Sequence, residues 1–210
     1  EFSRVSLLAA TGVAQSAEPT EGAIGFLGAL AESESSEPQY AFQAANLLIK
    51  ARTDAANQSA MKWLQRARQE AAKERNHDLL HSIDRTRSEL HEAMGDAVAA
   101  FRAAEDAVKE ARKSGHDINA IGAELRCADL FVMMGISKSA IRRYREAAVQ
   151  AAGIDTVLYH ECLYKLADPL RRLAKYGETR KVLKQAEEFA LSAGHLPAAV
   201  TCIQSLAILD

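Results

Sequence analysis

His77 and His81 stand four residues apart, with Asp78 and Asp84 close by and His91 further on. On a helix that spacing puts two imidazoles on one face, as a zinc ion would require of two neighbouring ligands. The glutamate of a His-Glu-x-x-His motif is missing, however, and His77 recurs as His116 and His195 at matching places along the chain, which gives it a structural explanation. No metal site is expected. Cys162 lies two residues from His160, but side chains two apart on a helix point to different sides and make no nucleophile–base pair. Gly22, Gly25 and Gly28 fall at helical spacing in an Ala/Leu-rich stretch and lack the Lys-Ser/Thr ending of a phosphate loop. Glu187-Glu188 and Glu32, Glu34 and Glu37 read as solvated faces or loop charge, and no Gly-x-Ser-x-Gly elbow occurs. The residue types that could do chemistry thus predict no catalysis and no cofactor.

Composition turns attention to the scaffold. The 210 residues are 48% hydrophobic but only 6% aromatic, with four prolines, eleven glycines and 26% charged residues. Such an Ala-rich, Pro-poor chain reads as all-α. Lys and Arg total 26 against 28 Asp and Glu, a net charge of −2, which argues against a protein that coats nucleic acid or an anionic membrane. No stretch approaches the roughly 18 apolar residues of a spanning helix. Cys127, Cys162 and Cys202 are far apart in apolar helical text, so they read as small buried hydrophobes in a reducing compartment, and a cytoplasmic location is expected.

One pattern recurs through the chain. A small residue is followed at once by a large apolar one, then by apolar or small residues at two further three-residue steps. It appears as Ala60, Met61, Leu64, Ala67, then Ala100, Phe101, Ala104, Ala107, then Ala140, Ile141, Tyr144, Ala147, and again as Val182, Leu183, Ala186, Phe189. Ala23, Ile24, Leu27, Leu30 is a fainter copy. The step is about 40 residues. A second series keeps the same beat: Asn76-His77-Asp78, Gly115-His116-Asp117, Gly153-Ile154-Asp155 and Gly194-His195-Leu196. Here the Gly or Asn suits the left-handed end of a helix, and the Asp suits the cap of the next. Gly95, Gly135 and Gly177 mark a turn inside each unit.

Each repeat therefore reads as helix A, a tight turn, helix B and a capped loop. The A helices are expected near 38–53, 78–94, 117–134 and 156–176, and the B helices near 57–75, 96–114, 137–152 and 178–193. Further helices are expected near 3–14, 20–32 and 197–209, and Pro169 should kink the helix that holds it. The segment Ala128, Phe131, Gly135, Ala140, Tyr144, Ala147 resembles the tetratricopeptide repeat family, in its small–aromatic–Gly–small–aromatic–small spacing. The longer step is similar to the extended subclass of kinesin light chains, spindle-orienting scaffold proteins and bacterial regulators. Departures occur at Arg87 and Ser88, and at Val182 and Ala186.

The resemblance implies a right-handed superhelical solenoid of about four and a half repeats and about nine helices. Its repeats fall approximately at 1–36, 37–76, 77–115, 116–153 and 154–194, with a partial one at 195–210, and no domain boundary is visible. It also implies a concave surface of A helices that holds an extended peptide or a partner helix. On that surface the candidate residues are Asn46, His81, Asp84, Arg85, Ser88, His91, Arg126, Asp129, Lys165 and Arg172. Helix 78–94 is unusually polar around its stripe of Leu79, Ile83, Leu90 and Met94, and Lys165, Arg171, Arg172 and Lys175 make the helix at 156–176 basic on one side. An acidic or carboxylate-ended peptide would suit those charges. The family's Lys/Asn carboxylate grip is not present, because Phe42 precedes Asn46 and Gly122 precedes Arg126.

The expected function is a non-catalytic scaffold or adaptor that binds another protein or peptide. The alternative is the ligand- or peptide-sensing array of a multidomain regulator. Two features of the ends add expectations. Arg4, the apolar run from Val5 to Ala14, and the small residues Ser16 and Ala17 imitate a leader, against which stands an ordinary amphipathic helix. Ile203, Leu206 and Leu209 leave an apolar stripe on the last helix, which predicts a fragment of a longer chain and self-association through that stripe.

Overall fold

The computed structural model describes residues 37–50 and 52–209. The helices expected near 3–14 and 20–32, the faint first repeat and the leader-like segment lie outside the described residues. Nine helices and no strand occur among the described residues: α1 (Pro38–Lys50), α2 (Asp54–Lys73), α3 (His77–Ala93), α4 (Ala97–Ser114), α5 (Asp117–Met133), α6 (Ser137–Ala151), α7 (Thr156–Arg172), α8 (Tyr176–Ser192) and α9 (Leu196–Ala207). None of them is long and apolar enough to cross a membrane.

Helix starts follow from short polar side chains. Thr53, Asn76, Asp96 and Asp155 each accept a hydrogen bond from the backbone N–H three residues on, which satisfies a donor the helix itself leaves open. Of the three aspartates expected as caps, only Asp155 acts as one; Asp78 and Asp117 sit inside the first turn, where a negative charge suits the helix dipole.

Helix ends share one device. After α2, α3, α5, α7 and α8 a residue with positive φ stops the helix: Arg75, Gly95, Gly135, Ala174 and Gly194. In each case the next N–H reaches back to a carbonyl five residues earlier, as in Asp96 to His91 and Ile136 to Phe131. Two expectations are corrected here. Asn76 is a cap and Arg75 takes the left-handed position; Gly177 lies inside α8 and Ala174 makes the turn.

The chain divides into two compact units, one ending at Ser114 and the other starting at Gly115. In the first, Tyr40, Leu48, Leu64, Leu80, Ile83 and Leu90 form the centre of the core around Ala60, Ala67 and Ala71. In the second, Ile121, Leu125, Tyr144, Leu163, Leu166 and Leu170 close around Ala128, Ala140, Ala147 and Ala186. Alanine at these repeated positions brings helices close, and larger residues from the partner helix fill the remaining space. The fourth copy of the pattern starts at Thr179 and not at Val182. Thr179, Leu183, Ala186 and Ala190 are buried as Ala140, Tyr144, Ala147 and Ala151 are, whereas Val182 is partly exposed. The Thr179 hydroxyl donates to the Lys175 carbonyl, which makes a polar residue acceptable there. All three cysteines are buried and none forms a disulfide.

Candidate functional site

In the second unit, α5, α7 and α9 are the A-type helices. Their side chains border a groove of about 580 Å³ whose floor comes from Tyr144 of α6 and from Thr179 and Leu183 of α8. Val132, Ala167, Ile208 and Leu209 give it an apolar lining, and Asp129, Lys165, Asp168 and Arg171 give it a charged one. Spacing explains the charged set. Lys165 and Asp168 are one turn apart on α7, so both face the same side.

The charges are paired among themselves. Lys165 Nζ lies 2.7 Å from Asp129 of α5 and 3.0 Å from Glu161 of its own helix. The Tyr144 hydroxyl donates to the other oxygen of Asp129. Burial alone would lower the pKa of the Lys165 ammonium, but the bonds to Asp129 and Glu161 outweigh it and hold the pKa above the ordinary lysine value. Burial, then the bond to Asp129, push the Tyr144 phenol above its usual range, so it stays protonated and donates. Asp168 accepts from both Arg171 (2.9 Å) and Arg172 (2.7 Å), and Lys175 pairs with Glu178. The basic side expected on this helix is therefore neutralised by carboxylates of α5, α7 and α8.

In the first unit a groove of about 730 Å³ runs between α1 and α3. Asn46 and Phe42 border it from α1, and Ser82, Arg85 and Glu89 from α3. Asn46 and Arg85 thus share one groove, and Asp129 and Lys165 share the other. Arg172 stands at the end of α7, where its guanidinium is also 3.5 Å from the Val132 carbonyl. Arg126 is half-buried on α5.

Three expected groove residues are corrected by their burial. His81, Asp84 and Ser88 are enclosed in the packing of α3 and present nothing to a ligand. His81 Nδ1 lies 3.1 Å from the Ala107 carbonyl. Asp84 Oδ1 accepts from Arg68 of α2 and Arg87 of α3, both at 2.7 Å. The physical reason is that α3 has hairpin partners on both sides, so its polar residues are paired inside the unit. Met94, expected in the apolar stripe, is exposed, and Leu80 takes a core place. His91 faces away from Arg85, beside Arg68 and Arg87. His77 is 2.7 Å from Glu110 of α4, a link that accounts for it without a metal. Tyr144, Tyr164 and Asp168 were not expected in the groove; Tyr144 reads in sequence as a core position, and it serves as both core and floor.

No family model and no curated protein sequence matches the chain. Solved structures do. Apo RapI superposes with a TM-score of 0.79 over 91% of this chain and 54% of its own, at 12% identity. The fold is a tetratricopeptide-type repeat array. A signal transduction ATPase with numerous domains and a tetratricopeptide repeat sensor, from Pyrococcus horikoshii, matches with a TM-score of 0.73 and 19% identity, over 90% of this chain and 30% of that one. Tetratricopeptide-like repeats of a putative kinesin light chain from Podosopora anserina match with a TM-score of 0.70 and 16% identity, over 91% and 95%. The chain spans about half the length of RapI and under a third of the ATPase. At these identities what is shared is the tetratricopeptide-type architecture of paired helices.

Proposed function

We propose that this chain is a protein-interaction module whose second unit holds a peptide or partner helix in the groove between α5, α7 and α9. The observation that carries the reading is a groove with an apolar lining and borders of already paired charges. Such a surface suits an amphipathic segment: apolar side chains on Val132, Leu183, Ile208 and Leu209, and polar groups along Lys165, Asp168 and Arg171. Asn46 and Arg85 extend the same kind of recognition to the first unit. Three buried cysteines outside any disulfide fit a reducing compartment such as the cytoplasm.

The test is selection of a random peptide library displayed on phage against the folded chain, followed by titration of the selected peptides by fluorescence anisotropy. A variant carrying Lys165→Glu and Ile208→Glu should lose the selected peptides while its circular dichroism is unchanged. Equal affinity for both proteins would remove the groove as the site.

A second reading has support in the likeness to an ATPase described by its tetratricopeptide repeat sensor. In it the same groove takes a ligand that shifts the activity of an attached domain. A ligand-dependent rise in melting temperature that is abolished by the same variant would favour it.

A further inference from the structure

We propose that the first unit carries a separate oxyanion site, suited to a phosphate monoester or free phosphate, in the crevice between α2, α3 and α4. This site is independent of the peptide groove and shares none of its residues. The crevice has a volume of about 440 Å³ and is bordered by Gln65, Arg68 and Gln69 of α2, Arg87 and His91 of α3, and Asp106 of α4. Arg87 is two positions after Arg85 on α3, a rotation that turns Arg87 and His91 to the opposite side from the groove that Arg85 borders.

The donors converge and are only partly used. Arg68 gives Nε to Asp84, and Arg87 gives one Nη, both to the same carboxylate oxygen. Arg68 approaches Asp106 through Nη2 only at 3.7 Å. The other guanidinium N–H groups, the amides of Gln65 and Gln69 and the imidazole of His91 have no hydrogen-bond partner among the described residues. Asp84 is fully buried and serves as the positioning residue: it clamps two arginines from different helices with their remaining N–H groups unspent. Asp106 is the one carboxylate in the border and already accepts from Lys109 at 3.1 Å. Arg68 and Arg87 balance Asp84 and Asp106 in charge, so the attraction for an anion rests on the unspent N–H groups and not on an excess of positive charge.

The donor set favours a tetrahedral oxyanion. Five donor-bearing side chains from two helices approach from different directions, which suits three or four acceptor oxygens better than the two of a planar carboxylate. His91 fits the same reading. Burial, then the charge of Arg87, hold its pKa below the ordinary histidine value, and a bound anion would oppose both effects.

The experiment is isothermal titration calorimetry of the full chain with inorganic phosphate and, separately, with blocked phosphoserine, alongside NMR of the histidine side chains. The expected result is saturable binding with a shift of the His91 imidazole. Tighter binding of blocked phosphoserine would assign the site to a phosphorylated side chain, and tighter binding of inorganic phosphate to the free ion. Arg87→Gln should weaken binding but also disturbs the buried Asp84. The decisive variant is therefore Gln65→Ala with Gln69→Ala, whose side chains are exposed and unpartnered. Losing two hydrogen bonds to an anion should weaken binding about tenfold or more at unchanged melting temperature. Undiminished binding by that variant, or no saturable binding by the native chain, would overturn the assignment.

Discussion

Ala174 closes α7 with φ +55°, in the place that Gly95, Gly135 and Gly194 fill after other helices. An L-residue in the left-handed region carries about 1–2 kcal/mol of steric cost. Glycine removes that cost but gives the unfolded chain more freedom, which offsets about 0.5–1 kcal/mol. Ala174→Gly should therefore stabilise the second unit by about 0.5–1 kcal/mol, or ~1–4 °C in Tm for a chain of this size. The reciprocal change sharpens the reasoning. A Cβ built on Gly135 would meet nothing within 4 Å, so Gly135→Ala introduces no clash and tests the backbone alone. It should cost about 1 kcal/mol. Urea titrations followed by circular dichroism give both values, with the slope of the transition checked for constancy. The reasoning is refuted if Ala174→Gly destabilises, or if Gly135→Ala leaves the midpoint unchanged.

Other consequences follow from buried charge and buried sulfur. Asp84→Ala leaves Arg68 and Arg87 without their shared carboxylate, and since both guanidiniums reach solvent it should destabilise the first unit by about 1–3 kcal/mol in the same titration. For Glu110, burial acts to raise the carboxyl pKa, but the bonds from Lys113 and His77 prevail and hold it below the ordinary value. Its contribution to stability is complete above the unfolded pKa of about 4.3 and is lost as the pH falls through the folded value. Glu110→Gln should flatten that acid limb in a pH series of melting curves. Burial pushes the Cys162 thiol up to about 12 and raises that of Cys202. In native protein at pH 8 both should resist iodoacetamide and become alkylated only in urea, as mass spectrometry would show.

Most of the helix boundaries were legible because the signals that set them are local. A cap such as Thr53 or Asp155 acts within three residues, and a left-handed glycine acts at one. Where other residue types took over, legibility failed. Arg75 and Ala174 adopt a conformation that their side chains disfavour, and the turn hydrogen bonds around them compensate. The misplaced start of the fourth repeat has a related cause. Leu183 and Ala186 are buried in either register, because positions three and four apart share a helical face. Only the burial of Thr179 separates the two readings, and a threonine does not announce itself as core.

The candidate groove was legible in part, and the residues that misled show why. A polar residue on an A helix reads as solvent-facing until its partner is known. Asp84 has two partners: Arg87 at the i,i+3 spacing that a helix allows, and Arg68 across a hairpin, to which no spacing rule links it. The same blindness made α7 look basic, since Asp129, which neutralises Lys165, comes from another repeat. That pairing changes what the groove can select. A ligand carboxylate that approaches Lys165 must displace Asp129 or Glu161 and gains only the difference between two similar ion pairs. On the proposed reading, affinity for the second unit would then come from apolar contact with Val132, Leu183, Ile208 and Leu209. The fixed charges would act mainly by rejecting segments whose own charges fall out of register.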